Sequence, residues 1–141
     1  VITGAQIAAA AQSWVGVPFL HQGRNRQGVD CAGLIVAVLR EVGWFHPDFR
    51  DYPRYGRAPQ VALREAVERI GQPTATPAPG VVCLIRWPRE RMASHIGWLT
   101  GGTLVHANGQ ARRVVEHGYR GNWVRDTVAL YRLTGVDYGD E

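Results

Sequence analysis

The hydrophobic repeat of this chain changes period near Pro79-Gly80, and that change constrains the fold more than any other feature of the 141 residues. Before it the apolar residues step by three and four. Thr3 is placed to cap a first helix with Ile7, Ala8, Ala11, Trp14 and Val15 on one face, ended by Gly16 and Pro18. Leu34, Ile35, Val38, Leu39 and Val42 form the stripe of a second helix that stops at Gly43, and Pro59 to Ile70 reads as a third, with Glu65 four residues before Arg69. After Pro79-Gly80 the pattern is that of strands: Val81–Trp87, His95–Leu99, Thr103–Ala107, Arg112–Glu116 and Thr127–Leu133. Helices followed by a run of strands predict an α+β fold, N-terminal helices packed on an antiparallel sheet. The length suits one domain spanning 1–141, and no internal repeat is visible. The connecting stretches read as a polar loop from Phe19 to Val29, an irregular aromatic-rich segment from Trp44 to Ala58, and a proline-rich connector from Gln72 to Gly80.

Cys31 opens the second helix, directly after Asp30. Unpaired N–H groups and the positive end of the helix dipole favour a thiolate there, and the Asp30 carboxylate can cap the helix. A free cysteine taken alone is as well explained as a small buried hydrophobe. Two histidines change the balance. Gly101-Gly102 lies between His95–Leu99 and Thr103–Ala107 and signals a tight hairpin. That turn sets His106 opposite Gly97, so His95 and His106 become diagonal neighbours on one face, about 7–8 Å apart at the backbone. Gly97 leaves the space between them open. One imidazole can then accept the thiol proton while the second polar group holds it in its working orientation. His21, His46 and His117 read as ordinary surface or core residues, and Asn108-Gly109 as a second hairpin turn. Cys31, Cys83, His95 and His106 lack the close spacing of a zinc site, so no metal or other cofactor is expected.

The two cysteines are far apart and suggest no disulfide scaffold; Cys83 reads as a buried strand residue. The net charge is +4, and all sixteen basic residues are arginine. Clusters at Arg24/Arg26, Arg86/Arg89/Arg91 and Arg112/Arg113 could meet carboxylates or phosphates, but no nucleic-acid-binding motif accompanies them and no nucleic-acid partner is expected. Neither a membrane span nor a secretion signal is evident. Trp14, Phe19, Trp98 and Trp123 could line a groove, although burial explains each of them as well.

Taken in order, Trp14-Val15-Gly16-Val17-Pro18-Phe19, Asp30-Cys31-Ala32-Gly33-Leu34, Pro79-Gly80, Ser94-His95-Ile96-Gly97 and Val105-His106-Ala107 resemble the NlpC-type, papain-like cysteine peptidases of bacterial cell walls, in particular the compact forms encoded with phage tail genes. The resemblance implies Cys31 as nucleophile, His95 as general base and acid, and His106 as the orienting third member. It further implies a peptidoglycan stem peptide as substrate, cut between D-glutamate and a diamino acid, with Asp30, Phe19 and Ala32 at substrate-binding positions. The N–H of Cys31 is a candidate oxyanion donor. Three positions depart from the family pattern: Phe19 replaces a tyrosine, Ala32 a frequent serine, and Val81 an aspartate after Pro-Gly. The phage-like form implies a place in the virion tail tip beside tail-tip or hub proteins. Two alternatives stay open: a structural tail module without peptidase activity, and a CHAP-like N-acetylmuramoyl-L-alanine amidase.

Overall fold

A computed structural model describes residues 1–44, 58–87 and 94–139. His46, most of the Trp44 to Ala58 segment, and Arg89 and Arg91 lie outside the described residues. Helix α1 spans Gly4–Gln12. Thr3 caps it in a reciprocal box: the Thr3 hydroxyl accepts from Gln6 N at 3.1 Å and the Gln6 amide oxygen accepts from Thr3 N at 2.9 Å. Two short strands, β1 (Arg24–Asn25) and β2 (Gly28–Val29), pair as a small hairpin inside the stretch expected to be a loop. Helix α2 follows at Cys31–Val42 and ends on Gly43, whose φ of 84° is the left-handed conformation that glycine adopts without a Cβ penalty. Helix α3 covers Ala58–Ile70, with Arg69 and Glu65 paired on its exposed side at 3.8 Å.

The remaining strands are β3 (Gly71–Thr74), β4 (Val82–Ile85), β5 (His95–Leu99), β6 (Thr103–Asn108), β7 (Arg113–Gly118) and β8 (Thr127–Leu133), with the short helix α4 (Asn122–Arg125) before β8. They form one six-stranded antiparallel sheet in the order β3-β8-β4-β5-β6-β7. Strand β3 falls in the segment expected to be a connector. It lies at the sheet edge, where Pro73 needs no ladder partner on its open side. Strand β4 is shorter than expected, and β7 runs to Gly118, two residues past its expected end.

Side-chain alternation divides the interior. Val82, Leu84, Ile96, Trp98, Val105, Ala107 and Val114 join Leu34, Ile35, Val38 and Leu39 of α2 and Ile7 and Ala11 of α1 in the main core. Val81, Cys83, Ile85, Leu99 and Leu104 form a second cluster on the other face, beneath Tyr119, Trp123 and Tyr138. Every residue of α2 from Ala32 to Leu39 is buried. Each of its large aliphatic side chains contributes roughly 1.5–3 kcal/mol on burial, which fixes the helix start against the sheet. Trp98 adds a directional contact, its indole N–H donating to Leu34 O at 3.4 Å.

Candidate active site

Asp30 fixes the position of Cys31. Its Oδ1 accepts from Gly33 N at 2.7 Å as the helix cap and meets Arg24 Nη1 at 3.2 Å, while Oδ2 accepts from Gln22 N at 2.7 Å. His21 Nδ1 stands 3.8 Å from Oδ2. The buried Asp30 carboxylate ties the loop before α2 to the first turn of the helix. Gly33 is required in that turn, because a Cβ would lie 2.0 Å from Gly23 O.

Cys31 packs against the core that includes Ile96 of β5, a residue that precedes the paired part of β5 and β6. The β5–β6 ladder covers Leu99↔Leu104 and Trp98↔Val105. Leu99 N donates to Val81 O on the β4 side, so by alternation Ile96 directs its N–H toward β6. There the backbone N–H groups of Ile96 and Ala32 favour the charged form of the Cys31 sulfur. These donors and the Arg24 charge favour a thiolate, but burial and the Asp30 carboxylate outweigh them and push the thiol up to about 12. Cys31 therefore rests as a neutral thiol. The thiolate expected from the helix start does not form at rest, because desolvation exceeds the helix-start effect.

His95 begins β5, beside Ile96. Its Nε2 lies 2.7 Å from His106 Nδ1, with ring centroids 4.8 Å apart. The register places His106 across from Gly97: a Cβ on Gly97 would stand 3.0 Å from His106 Cβ and 2.9 Å from Val105 O. Glycine thus provides the room the paired imidazoles need. Burial holds His95 down to about 4; burial, followed by the neighbouring imidazoles of His95 and His117, holds His106 down to about 2. Both rings are neutral at pH 7. A neutral thiol thus stands at the start of α2, and two uncharged imidazoles, hydrogen-bonded to each other, stand on β5 and β6.

The structure adds three residues to the histidine pair: His117, which reads in the sequence as an ordinary surface or core residue, Trp87, and Trp123, which the sequence offers only as a groove-lining candidate. His117 on β7 places its Nε2 2.8 Å from His106 Nε2, and its Nδ1 is 3.1 Å from Gly118 O. Leu104↔His117 pairing makes His117 a diagonal neighbour of His106, the same relation that joins His106 to His95. A strand end assigned at Glu116 hid it. Trp87 stacks on His95 at 4.8 Å and 27°, and Trp123 lies 5.1 Å from His106 and 4.5 Å from His117. Both indoles are partly exposed. Trp14 and Trp98 are buried in the core. Phe19 is partly buried beside Gly109, and Ala32 is buried in the core. Asn108 serves the β6–β7 turn, its Oδ1 accepting from Gln110 N and Ala111 N at 2.8 and 3.0 Å. Cys83 is fully buried 3.6 Å from Thr127 Oγ1, and burial pushes its thiol up to about 11.

The sequence model of the NlpC/P60 family matches residues 16–132, a span that contains Cys31, His95, His106 and His117. The chain belongs to the NlpC/P60 family. Over 30 residues it is 47% identical to the probable endopeptidase NlpC of Escherichia coli (strain K12), an alignment covering 21% of this chain and 20% of that protein. Its fold is similar to the NlpC/p60 domain of the peptidoglycan hydrolase SagA, with a TM-score of 0.65 and 20% identity over 94% of this chain and all of that one. It is likewise similar to an NlpC/P60 family protein from Bacillus cereus, with a TM-score of 0.68 and 14% identity over 93% of this chain and 40% of the other. The chain therefore spans a fifth of the curated relative and less than half of the Bacillus cereus structure, while matching the SagA domain end to end. These likenesses carry the NlpC-type, papain-like α+β fold. No helix among the described residues is long and apolar enough to cross a membrane.

Proposed function

We propose that this NlpC/P60 chain is a thiol endopeptidase of peptidoglycan stem peptides, with Cys31 as nucleophile, His95 as general base and acid, and His106 as its orienting partner. One observation carries the reading: His95, bonded to His106 at 2.7 Å, directly precedes Ile96, whose backbone N–H favours the Cys31 thiolate. Attack begins from neutral partners. The thiol proton passes to His95 as the sulfur bonds to the scissile carbonyl carbon, and the resulting imidazolium protonates the leaving amine. Water, deprotonated by the same imidazole, then cleaves the thioester. Backbone N–H groups at the start of α2 are the natural donors to the developing oxyanion.

The proposed scissile bond joins D-glutamate to a diamino acid, and the proposed setting is a phage tail tip that opens the wall locally. Both rest on sequence resemblance. Substrate contacts are assigned to Phe19 and the Asp30-Cys31-Ala32 turn, where Asp30 and Ala32 act chiefly by shaping the backbone. Digestion of diaminopimelate-type peptidoglycan with the wild type and Cys31→Ala, read by mass spectrometry, tests the proposal. Fragments ending in D-glutamate that vanish in the variant are expected. Release of whole stem peptides would make the enzyme an amidase, and no wild-type product from several wall types would favour a structural module.

A further inference from the structure

His117 carries the inference furthest, because its hydrogen bonds decide where protons sit in the whole imidazole row. A carbonyl oxygen only accepts. In a singly protonated His117 ring, the contact of 3.1 Å to Gly118 O places the proton on Nδ1 and leaves Nε2 bare. Across the contact of 2.8 Å, His106 must then donate from its own Nε2. That leaves His106 Nδ1 bare, and across 2.7 Å His95 must donate from Nε2. The remaining lone pair of the row is on His95 Nδ1, the ring nitrogen closer to its own backbone.

We propose that His117 is a positioning residue, the anchor of a three-imidazole row that is set from the Gly118 carbonyl outward and keeps His95 Nδ1 free to take the Cys31 proton. This deepens the peptidase reading and rests on it for the identity of the reaction, though the proton arrangement stands independently of any substrate. Trp123, 4.5 Å from the His117 ring and 5.1 Å from the His106 ring, supports the outer part of the row from one side. Reversing the row would have the opposite effect. If His106 carried its proton on Nδ1, it would donate to His95 Nε2 and move the His95 proton to Nδ1, blocking the base. When the row is set as proposed and the thiol proton reaches His95 Nδ1, the imidazolium still donates from Nε2 to His106, so no other proton has to move.

Two variants separate this role from packing. His117→Phe keeps an aromatic ring against Trp123 and removes both nitrogens; His117→Gln supplies an amide oxygen that can accept from His106. Ring nitrogen shifts of the three histidines, from long-range ¹H–¹⁵N correlation spectra of the full chain at neutral pH, report each tautomer directly. The expected wild-type pattern is Nε2–H for His95, Nε2–H for His106 and Nδ1–H for His117. In His117→Phe the His95 and His106 pattern is lost, and kcat on a stem peptide falls by about 10- to 100-fold with little change in KM, while His117→Gln recovers most of both. A wild-type His106 protonated on Nδ1, or a His117→Phe protein that keeps the wild-type tautomers at His95 and His106, would overturn the proposal. An intact tautomer row in a wild type that cleaves no wall peptide would overturn the peptidase reading alone.

Discussion

Lowering the pH from 7 to 4 destabilises the folded protein through His95, by an amount that follows from its surroundings. The ring is 4% exposed, and burial takes its pKa from 6.5 to about 4. In the unfolded chain the same ring takes up a proton near 6.5. Between these values the unfolded state binds more protons than the folded state, so stability is full above pH 6.5 and is lost as the pH falls through 4. One proton changes stability by at most about 1.4 kcal/mol per pH unit, and the whole displacement corresponds to about 3 kcal/mol. Against a total stability of about 5–15 kcal/mol, that is a large fraction. His95→Gln isolates it, since an amide does not titrate in this range yet can still donate to His106 Nδ1. Urea unfolding of both proteins at pH 7, 6, 5 and 4 is the assay. The wild type is expected to lose about 3 kcal/mol more than the variant across the range. Parallel losses would refute the argument that His95 is held neutral by burial.

Three further outcomes follow from the site. Cys31, with its thiol at about 12, should react with iodoacetamide slowly at pH 7 and ever faster up to pH 10 in peptide mapping; a reactivity plateau already reached at pH 6 would mean a resting thiolate after all. Gly97→Ala brings a methyl group to 3.0 Å from His106 Cβ, and should cost about 1–3 kcal/mol in chemical denaturation and separate the His95 and His106 rings; unchanged stability together with unchanged histidine ring shifts would refute the close-approach argument. Asp30→Ala removes the α2 cap and one half of a buried ion pair whose side chains are 5% and 4% exposed, and should cost about 3–5 kcal/mol; a loss below 1 kcal/mol by calorimetry would show that the pair does little to hold the helix start.

The elements legible in the sequence were those whose signals are local. Thr3, the stripe from Leu34 to Val42, and Gly43 each mark a helix through neighbours a few residues away. The Gly101-Gly102 turn fixed the register that sets His106 opposite Gly97. Strand β3 was not legible, because Gly71–Thr74 has little β-propensity and is held by pairing to β8, about sixty residues later. His117 was missed because Asn108-Gly109 suggests a two-residue turn, whereas the observed loop pairs Asn108 with Arg113 and carries β7 to Gly118. Had the strand been extended by period two from Val115, it would have placed His117 on the His106 face. The protonation state of Cys31 was not readable at all: helix position is written in the sequence, but the desolvation that outweighs it comes from the packing of β5 and α2.

The central claim is that Cys31, served by His95, is the nucleophile. Rapid-quench mass spectrometry of the intact protein with a diaminopimelate-containing stem peptide tests it most directly, with proteolytic mapping of any adduct. The predicted result is a transient acyl adduct on Cys31 that is absent in Cys31→Ala and fails to accumulate in His95→Gln, while Cys83 stays unmodified. Turnover that persists in Cys31→Ala, or an adduct mapped to Cys83, would contradict it.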